Sequence, residues 1–122
     1  LAPRSILIVE DDDDIREDLA ALLRLRGYEV STSANGREAL ERLQRGPLPS
    51  VILLDLMMPV MNGWELRAHQ LADPSLAPVP VAILSGHGKP DDFRELRPAA
   101  CLSKPFDVEA VFEIVERLCA QG

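Results

Sequence analysis

Five acidic residues in succession, Glu10 to Asp14, directly follow the apolar run Ile6-Leu7-Ile8-Val9. Like charges at that density repel one another unless a cation or water relieves them. A second apolar run, Val51-Ile52-Leu53-Leu54, ends in another acid, Asp55. A third, Val81-Ala82-Ile83-Leu84, ends in the hydroxyl of Ser85, and the short segment Ala100 to Ser103 ends in Lys104-Pro105. Each residue able to do chemistry thus follows the C-terminal end of an apolar segment. In open parallel α/β sheets, sites form beyond the carboxyl ends of the strands, at a topological switch point. If these segments are such strands, Glu10, Asp11, Asp55, Ser85 and Lys104 converge on one edge.

That set suits phosphoryl chemistry. Magnesium prefers hard oxygen ligands, keeps several waters and commonly takes one or two carboxylates plus a phosphate. An aspartate carboxylate is a nucleophile toward phosphorus, giving an aspartyl-phosphate. The transferred group spreads negative charge over three oxygens, so a cation, an ammonium group and a hydroxyl around it lower the barrier by position and electrostatics. Lys104 supplies the compact charge and Ser85 the hydrogen bond, while Pro105 fixes the backbone beside Lys104 and admits a cis bond there.

The elements that must position these residues alternate along the chain. Ile6 to Val9 reads as a strand buried on both faces. Ile15, Leu19, Leu22 and Leu23 lie on one helical face that stops near Gly27. Tyr28 to Ser33 is a second strand, followed by the Asn35-Gly36 turn and a helix with Ala39, Leu40 and Leu43 inward, ending near Gly46-Pro47. Val51 to Leu54 is the third strand and Trp64 to Leu71 the third helix. Asp73 to Pro80, with three prolines, is irregular. Val81 to Leu84 is strand four, Pro90 to Leu96 a weak helix closed by Pro98, and Ala100 to Ser103 strand five. Val108, Val111, Phe112, Val115, Leu118 and Cys119 form one face of the last helix. Buried strands interleaved with helices imply a (βα)5, doubly wound parallel sheet covered on both sides by right-handed crossovers.

Bulk properties fit one domain over residues 1–122, with 47% apolar residues and no repeat or low-complexity tract. The first residue is Leu rather than Met, which suggests a piece of a longer protein. A net charge of -7 argues against a nucleic-acid surface. No apolar stretch reaches the length of a membrane span, and no signal peptide is visible. Cys101 and Cys119 match no disulfide framework or zinc spacing, consistent with a reducing cytoplasm. Asp12, Asp13 and Asp14 read as a solvated helix start, and no frame of the acid run gives the central Gly and terminal Glu of an EF-hand. His69 and His87 read as surface residues. Trp64 and the Met57-Met58 pair read as packing residues, with Trp64 a fluorescence reporter near the site.

Over nearly its whole length the chain resembles the response-regulator receiver family of two-component signalling, a chemotaxis-regulator-like family. Four segments carry the resemblance: Ile6-Leu7-Ile8-Val9-Glu10-Asp11-Asp12 with Ile15-Arg16; Leu53-Leu54-Asp55-Leu56-Met57-Met58-Pro59 with Met61-Asn62-Gly63; Leu84-Ser85-Gly86; and Leu102-Ser103-Lys104-Pro105-Phe106. It implies a flavodoxin-like fold with strand order 2-1-3-4-5 and a single receiver domain with no effector domain. Asp55 resembles the phosphorylated aspartate, Ser85 the switch hydroxyl and Lys104 the family lysine. Asp11 resembles a direct metal ligand, Glu10 one acting through water, and the Met57 carbonyl a further ligand. The implied ion is Mg2+, with Mn2+ as a substitute. The implied donor is a histidine kinase or phosphotransfer protein, and the implied output is a homodimer or downstream protein on the surface of the fourth helix, fifth strand and fifth helix. On this reading the protein is not an enzyme in the metabolic sense: it catalyses only its own phosphorylation and slow dephosphorylation, in the cytoplasm.

Two departures stand out. Cys101 occupies the strand-five position where the family usually has Tyr or Phe, and the stretch from Ser85 to Lys104 is about one helical turn shorter than usual, with Gly86 and Gly88 after the switch serine. By the same resemblance, Met57 and His87, each two residues beyond a site residue, tune how fast water removes the phosphoryl group. Two other functions compete. A degenerate receiver would act only as a protein-interaction module. An aspartate-nucleophile phosphohydrolase of the haloacid-dehalogenase type would place a second acid two residues after Asp55, where this chain has Met57, and would carry a cap domain.

Overall fold

Ile6 to Val9, Val51 to Leu54 and Val81 to Leu84 are all buried. A strand apolar on both faces needs a layer on each side, and the chain supplies two. The computed structural model describes residues 4–86 and 90–121. Within them run β1 (Ser5–Val9), α1 (Asp13–Leu25), β2 (Glu29–Ser33), α2 (Gly36–Arg45), β3 (Val51–Asp55), α3 (Gly63–Ala72), β4 (Val81–Ser85), a 3-10 helix (Pro90–Leu96), β5 (Ala100–Ser103) and α4 (Val108–Gln121). The five strands form one parallel sheet in the order β2-β1-β3-β4-β5, the flavodoxin-like order expected from the sequence.

Period-2 alternation divides the strand residues between the two layers. Ile6, Ile8, Val51, Leu53, Ala82 and Leu84 pack with Leu19 and Leu23 of α1 and Val111, Val115 and Leu118 of α4. Their neighbours Leu7, Val9, Ile52, Leu54, Val81 and Ile83 pack with Ala39 and Leu43 of α2, Leu66 of α3, and Phe93 and Leu96 of the 3-10 helix. Each such aliphatic side chain contributes about 1.5–3 kcal/mol when fully buried. No helix among the described residues is long and apolar enough to cross a membrane.

Two expectations are corrected. The fourth crossover carries a 3-10 helix where a weak helix was expected, and the described residues form four α-helices. Seven residues are too few to offset the cost of nucleating an α-helix. Pro98 moreover disfavours helical backbone at the residue before it, and Arg97 has a φ of 51°. Val108 is 40% exposed, because it opens α4 rather than lying under its inner face.

Two buried polar residues of α3 hold the irregular backbone beside it, and nothing in their spacing marks them out: Arg67 holds the C-terminal end of the 3-10 helix and Gln70 the 73–80 connection. Arg67 of α3 donates to the carbonyls of Leu96 (2.8 Å) and Arg97 (3.0 Å) and to Gln70 Oε1 (2.7 Å). Gln70 in turn donates to the carbonyls of Leu76 (3.0 Å) and Val79 (2.9 Å), which fixes the irregular 73–80 connection. Burial, then the charge of Arg97, pulls the Arg67 guanidinium below its usual range.

At its other end α3 presses on β3. Asn62 and Glu65 form a reciprocal capping box, and the Gly63 amide donates to Leu56 O at 3.0 Å. A Cβ at Gly63 would stand 2.5 Å from the Asp55 carbonyl oxygen and 2.8 Å from Leu56 Cα. Only glycine allows so close an approach. Gly63→Ala should therefore destabilise the fold by about 1–3 kcal/mol, the usual cost of overpacking, as read by a lower urea midpoint at an unchanged denaturant slope.

Candidate functional site

The parallel register carries the chemistry to one edge. Val9 pairs with Leu54, Asp55 with Leu84, and Ser85 with Ser103, so Glu10, Asp55, Ser85 and Lys104 all lie at the carboxyl ends of adjacent strands. Two main-chain bonds extend the ladder into the loops: Glu10 N donates to Ser33 O at 3.1 Å and Lys104 N to Ser85 O at 2.7 Å. The Lys104–Pro105 bond is cis.

Glu10 and Asp55 are both buried, while Asp11 is exposed. One carboxylate oxygen from each of Glu10, Asp11 and Asp55 lies within 4.8 Å of the other two. Lys104 Nζ is 2.5 Å from Glu10 Oε1 and 3.6 Å from Asp55 Oδ1, and so sits between the buried acids. The remaining oxygen of Glu10, Oε2, accepts from Asp12 N at 3.3 Å, and Asp55 Oδ1 accepts from Met57 N at 3.4 Å. Ser85 lines the same cleft of about 680 Å3, as do Asp11, Met57, Trp64 and Phe93.

One ammonium group does not balance two buried carboxylates. Burial, followed by the hydrogen bond and charge of Glu10, raises Asp55 to about 7, although Lys104 and the Met57 amide act the other way. Burial by itself would lower Lys104, but the Glu10 hydrogen bond and the charges of Asp55 and Glu10 prevail and raise it. Clustered hard oxygen donors, an unbalanced charge and an open cleft fit a small divalent cation.

The acid run divides as the sequence suggests. Asp12 caps α1 by accepting from Asp14 N and Ile15 N (3.0 and 3.1 Å), with Asp13 and Asp14 exposed in the first turn. Arg16, for which the spacing implied no role, donates to the Glu10 carbonyl at 3.0 Å and pairs with Asp13 at 2.6 Å. It thereby ties the acidic loop to the helix.

Other expectations fare unevenly. Met58 packs on the second core layer, but Met57 is 77% exposed because it stands on the cleft rim after β3 has ended. Trp64 does line the cleft, and its ring meets that of Phe93 at 5.9 Å and 51°. Phe93 was not foreseen: it is a lone aromatic between two prolines, outside any periodic pattern. His69 is exposed as expected, whereas His87 and Gly88 lie outside the described residues. Cys101 is half-buried against the second layer, Cys119 is buried, and burial raises both thiols.

Residues 6–116 match the family model of the response regulator receiver domain. The chain is 37% identical over 117 residues to the response regulator receiver protein CpdR of Brucella abortus, covering 94% of this chain and 96% of that protein. It is 33% identical over 123 residues to response regulator Rre1 of Synechocystis, covering 98% of this chain but only 53% of that longer protein. Among solved structures, it is similar to the receiver domain of a sensor histidine kinase of Pseudomonas aeruginosa, at 27% identity and a TM-score of 0.88. That similarity covers 98% of this chain and 99% of the other, whose active site cleft coordinates a magnesium ion.

The charge imbalance has a measurable consequence. A carboxyl whose folded pKa is raised from 3.8 to about 7 stabilises the fold fully below pH 4, and this contribution is lost as pH rises through 7. In chelator at pH 8, Asp55→Asn should therefore be more stable than the parent by about 1–3 kcal/mol, given ~1.4 kcal/mol per pKa unit. The difference should shrink towards pH 4 in denaturant titrations. An Asp55→Asn protein no more stable at pH 8 than at pH 4, relative to the parent, would contradict the charge imbalance.

Proposed function

The chain belongs to the response regulator receiver domain family of two-component signalling, and on that premise we propose that it accepts a phosphoryl group on Asp55 from the phosphohistidine of a histidine kinase or phosphotransfer protein. The observation that carries the reading is the convergence of Glu10, Asp11, Asp55 and Lys104 from the ends of three strands, β1, β3 and β5.

In the step this geometry supports, an Asp55 carboxylate oxygen forms the new O–P bond. The P–N bond of the donor breaks, and its electron pair returns to the imidazole, which takes up a proton. Lys104 is a compact charge on a flexible stem. Lying 3.6 Å from Asp55 Oδ1, it favours the ionised nucleophile and then pairs with a phosphoryl oxygen. Ser85, on the wall of the same cleft, donates its hydroxyl to another. Glu10, Asp11, Asp55 and the Met57 carbonyl would hold a magnesium ion, with manganese as a substitute, and such an ion supplies positive charge to the phosphoryl oxygens. Slow attack of water on the acyl phosphate releases inorganic phosphate and restores the carboxylate. The exposed, apolar Met57 two residues beyond Asp55 offers no acid or base for that water, which disfavours the phosphohydrolase reading.

On this reading residues 1–122 act as one receiver unit, signalling rather than metabolic, in the cytoplasm. The phosphorylated form biases an existing equilibrium of the surface around the 3-10 helix, β5 and α4, through which a second copy or a downstream protein binds. An acidic surface with a net charge of -7 speaks against nucleic acid as the direct partner of this unit.

With magnesium and acetyl phosphate, or a phosphorylated kinase, intact mass should rise by one phosphate. The gain should vanish in Asp55→Asn and in chelator. Lys104→Met should slow labelling by about 100-fold or more, the usual loss when a transition-state charge partner is removed, without unfolding the protein. Absence of labelling would favour an interaction-only receiver, and steady turnover of phosphate esters a phosphohydrolase.

A further inference from the structure

The cleft beside Asp55 has an aromatic wall belonging to two different elements. Trp64 comes from the first turn of α3 and Phe93 from the middle of the 3-10 helix, with their rings 5.9 Å apart and tilted by 51°. Both line the same cleft as Asp55, Ser85 and Lys104. Trp64 is 39% exposed, so one side of it meets solvent in the cleft, whereas Phe93 is 6% exposed and packed in the second core layer. The pair thus joins the cleft to the core beneath the 3-10 helix.

The two ends of this wall are fixed by unlike means. The α3 end is rigid: Gly63 lies against the Asp55 carbonyl, and the Asn62–Glu65 box closes the first turn. The 3-10 helix is pinned at its far end, where Arg67 holds the Leu96 and Arg97 carbonyls. Phe93 precedes those anchors by a full turn, on a short helix whose i to i+3 bonds are weaker than α-helical ones. A group entering the cleft therefore meets one ring on α3 and one on the 3-10 helix, whose C-terminal end Arg67 holds. β5 offers no comparable lever, because Cys101 is a small, half-buried thiol packed on the second layer.

We propose that the Trp64–Phe93 pair reads the state of the Asp55 site, with Phe93 converting occupancy of the cleft into a displacement of the 3-10 helix about its Arg67 anchor. This rests on the phosphoacceptor reading and identifies which element of the chain responds to it. Contacts that differ between the free and loaded cleft supply the differential free energy that any such switch requires.

The test loads the full chain with magnesium and beryllofluoride, a mimic of the acyl phosphate. Loading is followed by fluorine NMR of the bound fluoride, and the response by amide hydrogen exchange over residues 90–96 and by Trp64 emission. In the parent protein, loading should change both responses. Phe93→Leu keeps apolar bulk in the core but removes the ring. It should load as the parent does, yet lose the loading-dependent change in exchange over 90–96. Phe93→Ala should do the same if it folds. Cys101→Ala should keep both loading and response. A Phe93→Leu protein that retains the parent's exchange response, or a Cys101→Ala protein that loses it, overturns the proposal. Failure of the parent to load, seen directly in the fluorine spectrum, overturns the phosphoacceptor reading and this inference with it.

Discussion

Two buried carboxylates share one ammonium group, and much of the fold serves to hold them in that arrangement. Glu10 and Asp55 come from neighbouring strands, so their separation is set by the spacing of the sheet rather than by side-chain choice. Lys104 arrives from the far edge and bridges both. Left to themselves, the acids would move apart or take up protons. They can do neither freely, because apolar strands buried on both faces fix the backbone, Arg16 grips the Glu10 carbonyl and α3 backs onto Asp55. The stability of the core is what keeps the unfavourable charge geometry in place.

Much of this was legible in the residues because the signals were local and redundant. Continuous apolar runs at 6–9, 51–54 and 81–84 admit few arrangements once amphipathic stretches separate them, and each run ends on a residue of the site. The helix start at Asp12–Asp14 was equally plain, whereas the Asn62–Glu65 capping box went unread, although Asn62 stands three residues before Glu65. Elsewhere the determining interaction was not local. Arg67 and Gln70 look like ordinary polar positions of a helix, yet each is buried, because carbonyls around residues 76–79 and 96–97 need donors and the nearest ones lie on α3. Nothing in the spacing of α3 announces partners 29 or 30 positions away. Phe93 is illegible for the same reason: its weight comes from Trp64, which the chain brings to it only through the fold. The 3-10 geometry of Pro90–Leu96 was foreshadowed by its brevity and its flanking prolines, but a period of 3.0 and one of 3.6 cannot be told apart over seven residues.

The buried Arg67 network also shows how an irregular region can be well determined. The 73–80 connection and the end of the 3-10 helix lack the repeating bonds of regular structure, so their carbonyls would be left unsatisfied on burial. A single guanidinium with a fixed fork of donors satisfies two of them and orients Gln70 for two more. Charge burial lowers the Arg67 pKa without neutralising it, since a guanidinium stays protonated far above physiological pH. One face of the sheet is consequently braced by these polar contacts in addition to its apolar packing, whereas the layer under α1 and α4 is held chiefly by apolar packing.

The order of strands in space differs from their order in the chain, and this bears on how the protein can be assembled. β2, β1 and β3 form one contiguous half of the sheet and are complete by residue 55, whereas Lys104 follows the last strand at the opposite edge. Parallel pairings of this kind close long loops and form slowly. A half-sheet of β2, β1 and β3 alone would set Glu10 beside Asp55 without the ammonium group of Lys104. Docking of β5 therefore does more than add a strand to an edge: it brings the counter-charge of Lys104 to Glu10 and Asp55, and so couples β5 to β1 and β3.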